Sequence, residues 1–302
     1  MAYRLRPGDR SVQRAVRRIA REQIDGALDA IARKPGDQAA HDVRKACKKV
    51  RAVLRLVRSG FAGYRYENAA FRDIAGLLGG MREARVLLDT FDLLTADAPG
   101  SFDCALVLPM REHMAGAALP QARDEAAAAR FEQARALLAM ARERTAAWKL
   151  AEDGWDALAP GLGTVLRQAR KAERAVRREP SGWRYHELRK LMKYHWYHTR
   201  LLVPLWPALM QARATELGRL ADLLGLHHDI CVFEERLGGL LPGTPHGREA
   251  AALRGLGAGR RQGLEGEIGP LTARLLAQDA AGLAGHWHAL WDIWRAERGR
   301  QA

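Results

Sequence analysis

The sequence predicts an all-α protein built as two related bundles of antiparallel helices, and three observations carry that expectation. Apolar residues recur at helical spacing from end to end. No stretch shows sustained period-two alternation between turn signals, so no sheet is predicted. A set of features in the first half returns in the same order in the second, at an offset of 145 or 146 residues.

Taken in order, the first helix is expected from about Arg10 to Arg33, ended by Pro35 and Gly36. Val12, Val16, Ile19, Ile24, Leu28 and Ile31 supply its apolar side, and Arg10, Arg14, Arg17 and Arg21 form a row on another. The next segment, His41 to Arg58, carries two stripes. Arg44, Lys48, Arg51, Arg55 and Arg58 follow one another at spacings of four and three, while Val43, Cys47, Val50, Leu54 and Val57 lie about 100° round the cylinder. Lys45 and Lys49 widen the charged face, against Asp42 as the one acid of the segment. Surface helices usually mix signs so that neighbours pair across a turn; this one presents cations.

Tyr64 to Thr95 reads as helix interrupted at LLGG, and Ser101 to Met114 as a short helix weakened by Pro109. Gln121 to Leu150 reads as one long helix. The second half starts near Asp153, giving expected bundles of residues 1–152 and 153–302. Leu158 to Arg178 carries Arg167, Arg170, Arg174 and Arg177 as a basic row. Pro180 to Gly182 separates it from a helix that stops before Pro204. Helices are then expected over Leu209 to Leu226 and Asp229 to Leu241, with one or two more in the tail, where Trp287, Trp291 and Trp294 form a core-facing stripe.

The repeat ties these elements together. HDVRKACKK at His41 and HELRKLMKY at His186 share HxxRKxxK at an offset of 145; LLGGMREARV at Leu77 and LLGLHHDICV at Leu223 share their leucines, Gly and Val at 146, with Glu83 opposite Asp229. Two copies related by a pseudo-twofold axis would aim both basic faces at one cleft. Lys plus Arg total 49 against 35 acids, a net charge of +14, with a pI near 10.3. A polyanionic partner follows. Arg outnumbers Lys heavily, which GC-rich coding also produces, so the placement of the cations carries the argument rather than their number.

Several classes find no support. Cys47, Cys104 and Cys231 are dispersed and form no CxxC pair, so reduced thiols are expected. The N-terminus lacks the apolar core of a secretory signal, and Leu201 to Met210, the longest apolar run, contains two prolines and is too short to span a membrane. A cytoplasmic protein without a membrane partner is expected. His195 and His198, and the group His227, His228 and Asp229, invite a metal, but no HExxH accompanies them; no metal and no cofactor is expected. GxxxxGK[ST], GxSxG and strand-led GxGxxG are also absent.

These residues resemble the conserved histidine α-helical domain, or CHAD, family over nearly the whole chain. His41, Arg44, Lys48, Lys49 and Arg51 match its first signature, and His186, Arg189, Lys190, Lys193 and Tyr197 the second. Its LGxxRDxDV segment aligns with Leu78, Gly79, Arg82 and Val86, although Glu83 stands in place of Asp and Arg85 in place of an acid; Leu224, Gly225, His228 and Asp229 form the counterpart. The resemblance implies a two-bundle helical fold and binding of inorganic polyphosphate in a basic central cavity, without catalysis, with polyphosphate granules as an associated partner. Arg suits such a ligand because its planar fork meets two phosphate oxygens at once, and Lys adds a mobile point charge.

On this reading His41, Arg44, Lys45, Lys48, Lys49, Arg51, Arg55 and Arg82 line one wall, and His186, Arg189, Lys190, Lys193, Tyr197 and His228 the other. Arg14, Arg17, Arg21, Arg170 and Arg174 extend them. Tyr194 and Trp196 make the second wall less cationic, so an asymmetric site is expected. His41 and His186 have two open roles, a cation beside phosphate or a neutral donor that orients a neighbour. Glu83 and Asp229 are expected to hold neighbouring cations in place. A nucleic-acid-binding protein is the alternative, since basic helices also track its phosphates. A phosphohydrolase acting on polyphosphate is a further one, and it would need acids arranged for Mg²⁺.

Overall fold

The computed structural model describes residues 3–79, 83–96, 111–112, 123–239 and 247–299. Among these the chain is all-helical: α1 Val12–Arg33, α2 Gly36–Leu56, α3 Tyr64–Leu77, α4 Glu83–Ala96, α5 Arg123–Arg144, α6 Gly154–Arg178, α7 Gly182–Leu201, α8 Pro207–Gly239, α9 Gly247–Leu275 and α10 Ala280–Gly299. The start signals lie where the chain chemistry puts them. Ser11 caps α1 by accepting from the Arg14 amide at 3.1 Å, and Ser181 caps α7 through the Arg184 amide.

Several elements differ from the sequence expectation, α2 among them, which begins at Gly36 rather than His41. The helix expected over Gln121 to Leu150 ends at Arg144, and a 3₁₀ turn, Thr145–Ala147, follows. Trp148 there turns inward onto Phe61, with ring centroids 5.5 Å apart, and the Ala151 amide donates to Gly60 O at 2.8 Å. Burial of the indole and a loop-to-loop hydrogen bond replace the final helical turns. The break expected near Leu226 does not occur: α8 runs through LLGLHHD because Gly225 costs only about 1 kcal/mol in a helix and no proline is present. α6 begins at Gly154 rather than Leu158 and continues through Pro160. Gly154 has φ +60°, a left-handed conformation that glycine adopts without strain. The segment expected as a short helix over Ser101 to Met114 lies almost wholly outside the described residues, as does Cys104.

α2 occupies the centre, packed on α1, α3, α6 and α7; α7 packs on α6, α8 and α2. The principal core draws on helices from both halves and includes Val16, Leu54, Phe71, Leu158, Met192 and Leu220. Trp287, Trp291 and Trp294 are buried as expected, and Trp291 packs on Trp155. A smaller core joins Phe91 and Leu94 of α4 to Phe233 and Leu237 of α8 and Ala250 and Leu253 of α9. Near the N-terminus the Leu5 amide donates to Leu201 O at 3.0 Å and the Val12 amide to Asp153 Oδ1 at 2.6 Å.

At Gly161 the halves meet backbone on backbone. A Cβ on Gly161 of α6 would stand 1.9 Å from Leu56 O and 2.5 Å from Arg55 O at the end of α2. Gly161→Ala should therefore lower stability in chemical denaturation by about 2 kcal/mol or more, the upper part of the overpacking range. Gly26→Ala, where a Cβ would meet nothing within 4 Å, should be neutral or slightly stabilising.

Candidate functional site

The two signature helices meet. From α7, the buried His198 ring reaches Ala52 O of α2 at 2.9 Å. Burial pushes the imidazole down to about 4, against the opposing effect of that hydrogen bond, so the ring is neutral and donates its Nε2 proton. Beside this crossing the Arg55 guanidinium lies over the Tyr194 ring, 4.3 Å from its centroid.

The signature arginines hold the LLG glycines. Arg44 Nη1 donates to Ala75 O at 3.0 Å, at the end of α3, and a Cβ on Gly79 would stand 3.1 Å from the same atom. Arg189 lies likewise against Gly225, 3.9 Å from where a Cβ would be. In each half the signature arginine therefore lies beside the glycine of the following LLG motif.

A cleft of about 470 Å³ opens where α2, α6 and α7 converge. α2 contributes Arg51 and Arg55, α6 contributes Gln168 and Lys171, and α7 contributes Trp183, Arg184, Glu187, Lys190 and Tyr194; Ala172, Ala175 and Leu191 complete the lining. Five cations thus face one acid. Glu187 pairs with Lys190, and Arg184 with Glu179 at 2.5 Å. Arg51 Nε donates to Asn68 Oδ1 at 3.2 Å, which leaves the rest of its fork for other acceptors. Arg55 Nε is buried without a hydrogen-bond acceptor.

The structure divides the expected wall residues among several places. Arg51, Arg55 and Lys190 line the cleft. Lys49 does not: its ammonium donates to Gln23 Oε1 at 2.9 Å and lies over the Tyr3 ring, and burial, with Arg200 nearby, lowers its pKa to about 8. Tyr197 is buried edge-on to Tyr3. Arg14, Arg17 and Arg21 share a separate groove on α1 with Arg18, Glu22 and Asp25. There Arg17 Nε donates to Trp148 O and Arg21 Nε to Thr145 Oγ1, both at 2.8 Å, so they brace the turn after α5.

On α6 the cleft-facing residues are Gln168, Lys171, Ala172 and Ala175. At 100° per residue the row of Arg167, Arg170, Arg174 and Arg177 falls well round the cylinder from them. Arg170 Nη1 donates instead to Leu276 O at 2.6 Å and Gln278 O at 3.1 Å, holding the end of α9. Arg174 is exposed, as are His41 and Lys45; Lys48 and Lys193 are half-buried, with the Lys193 ammonium over the Trp196 ring. Arg82 and the Glu83 side chain lie outside the described residues. Sequence reasoning missed Gln168, Lys171, Trp183 and Arg184. The small Ala172 and Ala175, four and seven residues after Gln168 on one helical face, were the available signal.

Four other histidines contact protein neighbours. His186 of α7 and His228 of α8 bring their ring centroids to 4.4 Å. Burial, then His186 and Arg189, pushes His228 down to about 4, and burial likewise lowers His186, with Lys190 and Arg189 adding to it. The buried His195 accepts from Arg213 Nη2 at 3.1 Å and stacks on Trp287. His227 Nε2 pairs with Glu265 Oε1 at 2.9 Å, and its Nδ1 lies 3.7 Å from Cys231 Sγ, which resembles a nucleophile, base and acid in series. Burial, however, raises the Cys231 thiol pKa, which disfavours the thiolate such chemistry needs. Among the described residues no three His, Cys, Asp or Glu side chains gather as a metal site requires.

These features define a helical protein in which two HxxRKxxK helices cross beside a cationic cleft. The CHAD domain model matches residues 11–238, and the chain belongs to that family. The match stops at the end of α8, so α9 and α10, with the buried Trp287, lie beyond it. No curated protein matches the chain.

Acid should weaken the fold. The folded pKa of His198 and of His228, about 4, lies below the unfolded value near 6.5. Between these values the unfolded chain binds more protons, so stability is complete above about pH 6.5 and falls as pH drops towards about 4. Thermal unfolding followed from neutral to acid pH should show this decline, and His228→Gln should make it shallower.

Proposed function

We propose that this protein binds inorganic polyphosphate in the cleft between α2, α6 and α7 and does not transform it. The observation that carries the reading is the convergence of Arg51, Arg55, Lys171, Arg184 and Lys190 on one recess with Glu187 as its one acid. Membership of the CHAD family supports the same ligand, since the resemblance to that family carries polyphosphate binding with it. A phosphate chain offers no base or sugar, so it is held by charge and hydrogen-bond donors alone.

The two walls differ, in keeping with an asymmetric site. α2 presents two arginines, one with its Nε unsatisfied; the α7 cations are each paired with a glutamate and interleaved with Trp183 and Tyr194. Among the described residues no helix is long and apolar enough to cross a membrane. On this reading the protein works in the cytoplasm, with polyphosphate granules as its partner, and the pseudo-symmetric repeat serves to bring two basic helices to one ligand.

The double variant Arg51→Ala, Lys190→Ala should bind long-chain polyphosphate at least about tenfold more weakly at physiological salt, with the slope of log affinity against log salt reduced by about two. Titration calorimetry across a salt series measures both. Unchanged affinity removes the cleft from the reading. Shortening of the chains in the presence of Mg²⁺ would favour a hydrolase, and equal competition by duplex DNA would favour nucleic acid.

A further inference from the structure

The cleft contains more than a bare phosphate chain can use. Trp183, Tyr194, Leu191, Ala172 and Ala175 give it apolar and aromatic surface, and Gln168 adds a neutral amide. Inorganic polyphosphate has no apolar area to bury and no heterocyclic edge for an amide to read. Trp183 is 70% exposed, more than any other large hydrophobic side chain among the described residues. Tyr194 already holds the Arg55 guanidinium over its ring, whereas no ring or cation stacks on Trp183 among the described residues. An indole open to solvent on the wall of a cationic recess is the arrangement that stacks a base while cations hold its phosphates. The volume of about 470 Å³ lies in the range of small-molecule sites.

We propose that the cleft takes a nucleoside polyphosphate, with its base stacked on Trp183, the base edge hydrogen-bonded by Gln168, and its phosphate tail on Arg51, Arg55 and Lys190. This rests on the reading of the cleft as an anion site and adds to inorganic polyphosphate a second ligand class, one that also fills the aromatic end. Gln168 can both donate and accept, so it can pair with the edge of a purine or a pyrimidine. Arg184, fixed to Glu179, stands next to Trp183 in the first turn of α7 and places positive charge where the tail begins.

The test is calorimetry on the full chain, without divalent metal, using ATP and inorganic tripolyphosphate as probes. ATP should bind about tenfold more tightly than tripolyphosphate, the effect of one stacked base. Trp183→Ala should bring ATP to the tripolyphosphate affinity and leave tripolyphosphate unchanged, with an unaltered unfolding transition because the side chain is exposed. Arg51→Ala, Lys190→Ala should weaken both ligands. Equal affinities in the wild type, or a Trp183→Ala variant that weakens both ligands alike, would overturn the nucleotide inference while leaving the anion cleft intact. Binding of neither probe, or of both unaffected by the charge variant, would overturn the anion reading itself.

Discussion

The last turn of α2 lies against α6 with no space between them for a side chain. At Gly161 the carbonyl groups of Arg55 and Leu56 occupy the volume a Cβ would need, so the two backbones are in contact. That contact sets how far α6 stands from α2, and hence the width of the cleft where Arg51 and Arg55 face Lys171. The His198 hydrogen bond to Ala52 O fixes α7 to the same helix a turn away. Because that imidazole is neutral, the bond adds no charge beneath a surface already dense in cations.

Placing like charges together is unfavourable, since two unit charges 4 Å apart repel by about 4 kcal/mol at an effective dielectric of 20. The fold limits this by dividing its arginines between two kinds of work. Arg17, Arg21, Arg44 and Arg170 donate to carbonyl or hydroxyl oxygens at helix ends and turns, where they satisfy acceptors that helices leave unpaired. Arg55 retains an unsatisfied donor at the cleft, and the Tyr194 ring beneath it partly offsets its charge. These four arginines thus serve as structural mortar, while a different set of five cations lines the cleft.

The legible part of this protein was periodic. Cys47, Val50 and Leu54 are buried where their spacing placed them, and the Trp287, Trp291 and Trp294 stripe packs inward as its four-and-three rhythm required. What the pattern could not distinguish was two charged stripes of equal regularity. From the basic row of α6, Arg170 and Arg174 were expected to extend the ligand wall, yet Lys171 beside them faces the cleft. Likewise Lys49 belongs to the same motif as Lys48, but one residue is a 100° rotation, and that rotation carries it under Tyr3.

From the residues alone came the helical class, the cationic faces, the repeated HxxRKxxK and LLG segments and the family they resemble, because each depends on local spacing along one helix. Tertiary packing decided which face of each helix meets which neighbour, the placing of α4 against α8 and α9, and the choice of Arg51, Arg55, Lys171, Arg184 and Lys190 as the cations that share a recess. A helical period specifies the angle of a residue about its own axis; only close packing, as at Gly161, specifies the rotation and distance of one axis relative to another.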